Sequence, residues 1–128
     1  MAQTNAYQVG QVWTYDTAAE DSGSLIKIQA IEMVGPEDKQ QTIYHISMSD
    51  IALKGASQDR INAGHLPVSR ETLDMSVTSL TSNPQDFPDL DYRTGMAEWR
   101  RANGGWFTIS LQDIAGVLRK SFARVPTD

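Results

Sequence analysis

A chain of 128 residues fits one domain, spanning 1–128, and is long enough to bury a core without cross-links. Its 40% hydrophobic content is ordinary for a soluble globular protein, and the absence of cysteine excludes both a disulfide framework and a thiolate metal site. A formal net charge of −5 argues against nucleic acid as the main partner.

The charge is unevenly spread. Residues 1–92 carry 13 acidic and 5 basic side chains, and residues 93–128 carry 3 acidic and 6 basic. An acidic front of this kind can steer a basic partner, although acidic loops on a solvated surface give the same tally. The opening MAQTNAYQVG has neither the positive nor the apolar region of a secretory signal, and no apolar run reaches membrane-spanning length. A cytoplasmic protein is the expectation, and the lack of cysteine agrees with a reducing compartment.

In chain order, QVWTYD at 11–16 strings together strong strand formers and predicts a first strand. TAAEDSGS is a polar loop broken at Gly23. LIKIQAIEMV at 25–34 predicts a second strand and residues 42–53 a third, joined by the turn GPEDKQQ. Strands separated by a short polar turn pair as an antiparallel hairpin. KGASQD at 54–59 predicts another turn, and RINAGHLPV at 60–68 a fourth strand ended by Pro67. Ser69 is placed to cap a helix with Glu71 in its first turn, and Leu73, Val77 and Leu80 fall on one helical face.

TSNPQDFPDLD at 81–91 is a loop rich in proline and aspartate. YRTGMAEWRRAN predicts a second helix with Tyr92, Met96, Trp99 and Ala102 on one face, closed by Gly104 as a left-handed cap. WFTIS at 106–110 predicts a short strand. Ser110 with Asp113 caps a last helix whose buried face is Leu111, Ile114, Leu118 and Phe122. Strands grouped before helices predict an α+β fold, a mainly antiparallel sheet of about five strands with about three helices in two layers. Trp13, Ile26, Ile28, Tyr44, Ile46, Met48, Leu73, Val77, Trp99, Ile109, Ile114 and Leu118 are the expected core.

The segment IYHISMSDIAL at 43–53 holds the main functional question. Strand alternation puts Tyr44, Ile46 and Met48 on a core face and Ile43, His45, Ser47 and Ser49 on a wet one. A hairpin about Gly55 brings His65 close to His45, which makes His45, Ser47 and His65 the candidate binding set. Zinc needs three or four ligands, and only Asp50 or Glu32 could complete a set. Neither has ligand spacing, so no metal and no cofactor is expected. The plainer reading leaves His45 hydrogen-bonded on a half-exposed sheet.

No G-x-S-x-G elbow exposes a nucleophile, and Ser69 is accounted for as a cap. NGGW follows a helix rather than preceding one, so it reads as a helix stop, not a phosphate cradle. EWRRA sets Arg100 and Arg101 beside Trp99. Trp99 and Arg100 thus join the candidate set as a cation–π surface or anion clamp, against a solvated face with Glu98 paired to Arg101.

Taken together, GQVWTYDT, HISMSDI, HLPVSRETLDMSVTSL and WFTISLQDI resemble a family of short uncharacterised bacterial proteins, from about Gly10 to Leu118. The resemblance implies a bacterial origin and brings no chemistry with it. The first functional expectation is a non-enzymatic binding protein, in one version an acidic inhibitor or immunity-type protein covering a basic partner. The alternative is a small enzyme or ligand-binding domain using the His45, Ser47 and His65 face. Neither nucleic acid nor membrane is an expected partner, and a homo-oligomer fits either reading.

Overall fold

Strand-forming runs separated by polar turns give the expected meander. In a computed structural model of the protein, which describes residues 7–52 and 60–123, the elements are β1 (Val12–Tyr15), β2 (Leu25–Val34), β3 (Gln41–Ala52), β4 (Arg60–Ser69), α1 (Arg70–Asp74), β5 (Val77–Leu80), α2 (Arg93–Arg101) and α3 (Leu111–Ala123). The strands form one antiparallel sheet in the order β4-β3-β2-β1-β5. The fold is α+β. Leu53, the turn expected at 54–59 with Gly55, and the side chain of Phe122 lie outside the described residues.

The core sits on one face of the sheet. Trp13, Ile26, Ile28, Tyr44, Ile46, Met48 and Leu66 meet Leu73 of α1 and Leu111, Ile114 and Ala115 of α3. Ser69 caps α1 by accepting from Thr72 N (3.2 Å), and Ser110 Oγ accepts from Asp113 N (3.1 Å) at the start of α3, both as the sequence indicates. The sheet and the layer made by α1 and α3 hold this core. α2 adds partial cover on the opposite face, where Trp99 meets His45.

Four expectations need correction. The helix opened by Ser69 stops at Asp74, and Val77 and Leu80 lie on β5 instead. Val77 and Thr78 are β-branched, and β1 has a free edge that this segment fills, with Trp13 opposite Leu80 and Thr14 opposite Ser79. Leu80 is therefore 51% exposed and Val77 only partly buried. The segment 106–110 makes a single parallel bridge, Phe107 to Val68, rather than a strand. Phe107 N donates to Pro67 O and Phe107 O accepts from Ser69 N, after which the chain turns away and leaves Ile109 39% exposed.

Pro67 lies inside β4 rather than ending it. Its carbonyl points outward to Phe107, so the missing N–H also faces the outer edge and costs no ladder bond. The left-handed residue after α2 is Asn103 (φ 52), not Gly104. Gly104 N reaches back to Trp99 O (2.9 Å), and a Cβ on Gly104 would lie 2.5 Å from Trp99 Cδ1. The glycine is needed for closeness, not for its dihedral.

Asp21, in the polar loop TAAEDSGS, is fully buried. Its Oδ1 accepts from Arg119 Nη1 (2.8 Å) and from Ala52 N (2.9 Å), which ties α3 to the β1–β2 connection and the end of β3. The acidic residues Glu37 and Asp38 sit on the β2–β3 turn, at the opposite end of the meander.

Ile46 is fully buried between Ile28 and Leu66 in adjacent strands. Replacing it with Ala should cost about 2–5 kcal/mol, measured by urea unfolding. A loss under about 0.5 kcal/mol, typical of surface sites, would mean that the strand faces are exchanged.

Candidate functional site

Three irregularities in the sheet build the site. Ile28 pairs with Ile46 and Ala30 with His45, so Gln29 is an extra residue in β2. The bulge inverts the alternation of the strand. Glu32, which an unbroken β2 would put on the core face with Ile26 and Ile28, emerges on the face of His45. In β4 one more residue lies between Leu66 and Ala63 than β3 has between Ile46 and Met48, and His65 falls in that interval. A third shift, between Met48 and Ile51, contains Asp50 at φ 62.

The face expected to be wet is dry. His45, Ser47 and Ser49 are buried, as is Ile43 beside them. Ser47 Oγ donates to Gly64 O (2.7 Å) and accepts from Gln29 Nε2 (3.0 Å), which accounts for a hydroxyl away from water. Cover comes from α2 and the segment leading into it. A Cβ on Gly95 would lie 2.7 Å from His65 Cβ, and one on Gly64 would lie 2.2 Å from Asp91 O. These two glycines let α2 and its lead-in approach β4. Asp91 fixes the start of α2, accepting from Arg93 N (3.0 Å) and Thr94 N (3.2 Å). The Thr94 side-chain hydroxyl first, then these backbone hydrogen bonds, hold its carboxyl below the usual range.

On this face four side chains form a line. Arg100 Nη2 donates to Glu32 Oε1 at 2.6 Å. The same oxygen lies 3.3 Å from His45 Nε2, and His45 Nδ1 lies 2.8 Å from His65 Nε2. The His45–Glu32 approach is close enough for electrostatic attraction, but the ring N–H is poorly aligned and makes no hydrogen bond. A bare lone pair at His45 Nε2 would face a carboxylate, so the network assigns the proton there. Nδ1 of His45 then accepts, and His65 donates from Nε2. Trp99 closes the line edge-on, 4.7 Å from the His45 ring centre, with its own N–H donated to Gly105 O (2.7 Å).

Burial decides the protonation of both rings. Desolvation lowers the His45 pKa despite the attraction of Glu32. It lowers His65 to about 4, with His45 and Arg100 adding to the effect. The pair is neutral at pH 7. It is a chain rather than a metal cage, because the two nitrogens of His45 address different partners. Among the described residues no group of three or more His, Cys, Asp or Glu could hold a metal ion.

The outer end of the line opens into a cleft of about 670 Å³. It is lined by Glu32 and Val34 of β2, by Gly35, Pro36 and Lys39 of the following turn, and by Trp99, Arg100, Asn103 and Trp106 of α2 and the segment after it. Gly35, which opens the turn lining the cleft, adopts φ 101, a conformation open to glycine at little cost. The volume falls within the range of small-molecule sites.

Of the residues singled out from sequence, His45, His65, Trp99 and Arg100 come together around Glu32. Ser47 is sealed beneath Gly64 and reaches no opening. Trp99 is half-buried, a cover rather than a core residue, and α2 buries no residue fully. Glu32, weighed only as a metal ligand, is the shared partner of Arg100 and His45. Lys39 and Trp106 were not marked as site residues. Compared with known proteins, the chain matches no family model, no curated protein and no solved structure.

Glu32→Ala removes the ion pair with Arg100 and the charge facing the His45 N–H, and should lower stability by about 0.2–1 kcal/mol in urea unfolding. An unchanged midpoint would remove Glu32 from the line. The histidines also set a pH response. Both folded-state pKa values lie below 6.5, so the unfolded chain binds more protons as pH falls from about 6.5 toward 4. Stability is therefore full above about pH 6.5 and is lost on acidification through that window. The urea midpoint should be higher at pH 7 than at pH 5, and the difference should shrink in His65→Asn. An equal difference in the variant would assign the response to other groups.

Proposed function

We propose that this is a cytoplasmic bacterial protein that binds a small organic ligand, without catalysis, in the cleft formed by Glu32, Lys39, Trp99, Arg100 and Trp106. The observation that carries the reading is the cleft itself: two indoles and two cationic side chains converge on a concave surface of ligand size. The chemistry beneath favours binding over turnover. The histidines are neutral, with His45 fully buried and His65 partly so, and Ser47 is already committed to Gly64 and Gln29. The Glu32–His45–His65 line supports the cleft floor and holds Trp99 in place.

A basic protein partner is the second reading. Its support is the exposed trio Asp86, Asp89 and Asp91. The burial of Asp21 and the separation of the two acidic turns weaken it, because a dispersed field steers less than a gathered one.

A screen of aromatic fragments by ¹H–¹⁵N correlation spectroscopy tests the first reading. Hits should shift the Trp99 and Trp106 indole signals and the backbone of residues 34–41, and Trp106→Ala should abolish them. An absence of hits at millimolar fragment, or shifts scattered over the sheet, would count against it.

A further inference from the structure

We infer that the ligand is a planar aromatic monocarboxylate, its ring against Trp99 and Trp106 and its carboxylate on Arg100 and Lys39. The inference rests on the cleft being the binding site. It goes further by naming the chemistry that fits it.

Charge complementarity is the first argument. The chain carries a formal net charge of −5, yet the charged side chains lining the cleft are Lys39, Arg100 and Glu32, a local excess of one positive charge. Glu32 Oε1 is paired with Arg100 at 2.6 Å and lies 3.3 Å from His45 Nε2, so its charge is balanced by Arg100 and Lys39 remains as the excess cation. An entering cation would meet Lys39 and Arg100 as like charges. An entering anion meets two donors.

Donor capacity is the second argument. Arg100 is 55% exposed at its side chain and uses one nitrogen, Nη2, on Glu32. A guanidinium has five N–H donors in a fixed fork that suits a carboxylate. Lys39 has no ion pair or side-chain hydrogen bond among the described residues, and it lines the cleft from the β2–β3 turn while Arg100 lines it from α2. Together they offer a two-sided grip on one anionic group.

The walls supply the third. Val34, Pro36, Trp99 and Trp106 are apolar or aromatic. Trp99 cannot swing freely, since its N–H is held by Gly105 O and its ring packs edge-on to His45. A fixed indole is a stacking surface that costs little ordering on binding. A purely anionic ligand would leave these walls wet, and a purely apolar one would leave the two cations without a partner.

The experiment uses the full chain and three probes: indole-3-carboxylate, indole and inorganic phosphate. Binding is followed by the three tryptophan indole signals, with affinities from the titrations. Indole-3-carboxylate should shift Trp99 and Trp106 and leave Trp13, whose ring lies on the opposite face of the sheet. It should bind at least about tenfold tighter than indole, the effect of one charge-assisted hydrogen bond. Arg100→Gln and Lys39→Gln should each erase most of that preference, read as the ratio of the indole-3-carboxylate and indole affinities within the same variant. The second variant leaves the Glu32 contact in place and so separates a lost grip from a disturbed floor.

Equal affinity for indole and indole-3-carboxylate would overturn the carboxylate assignment and leave the cleft reading intact. So would a preference that survives both variants. Phosphate binding as tight as indole-3-carboxylate would make the site a plain anion site and also overturn it. If no probe moves Trp99 or Trp106, the cleft reading and this inference both fail.

Discussion

A hydrogen bond between two imidazoles, His45 Nδ1 to His65 Nε2 at 2.8 Å, requires one ring to donate and the other to accept, and the requirement spreads outward. If both rings were protonated, two donors would face each other where His45 has no access to water. The pair therefore has to stay neutral, and neutrality has to be oriented. Glu32 orients it by facing Nε2 of His45. Arg100 then balances Glu32 and draws α2 over the sheet. Trp99 follows on the same helix and seals the rings. The cleft exists because this outer end has to stop somewhere, and it stops on a charged pair at the surface.

Much of the fold was legible from local chemistry. Ile26, Ile28, Tyr44, Ile46 and Met48 alternate as strands do, and the polar turn between 35 and 41 gives away the hairpin. Ser69 and Ser110 announce the helices they cap. The failure at Val77 has a physical cause. Three apolar residues at helical spacing also fit a broken helix followed by a strand, and the free edge of β1 chose between them. Sheet edges are satisfied by distant residues, which a local window does not contain. Ile109 failed similarly, because one bridge at Phe107 was enough to dock the segment.

The site was half legible. The nearness of His45 and His65 followed from the hairpin alone. The dryness of their face did not, since nothing in IYHISMSDIAL says that a helix 50 residues later will cover it. Glu32 was hidden by parity. Counting by twos from Ile28 places it in the core, where a carboxylate would be costly, and only the extra residue at Gln29 returns it to the polar side. A charged residue that falls on the wrong parity of an otherwise apolar strand is itself a signal for a bulge. Gly95 and Gly64 are readable in the same way, as small residues where a helix or its lead-in must come close.

The pair Asp21 and Arg119 has a consequence for the order of events in the growing chain. Ninety-eight positions separate them, the longest separation among the side-chain hydrogen bonds described. The strands that surround Asp21 leave the ribosome well before Arg119 does, because synthesis proceeds from the N-terminus. Until α3 arrives, closing the first connection against β3 would bury a carboxylate whose cation has not yet been made. Docking of the last helix and final closure of the front half are thus one cooperative step. A nascent chain halted before residue 119 would carry a charge with no counterpart, an incentive to stay open that vanishes only when the C-terminal helix is in place.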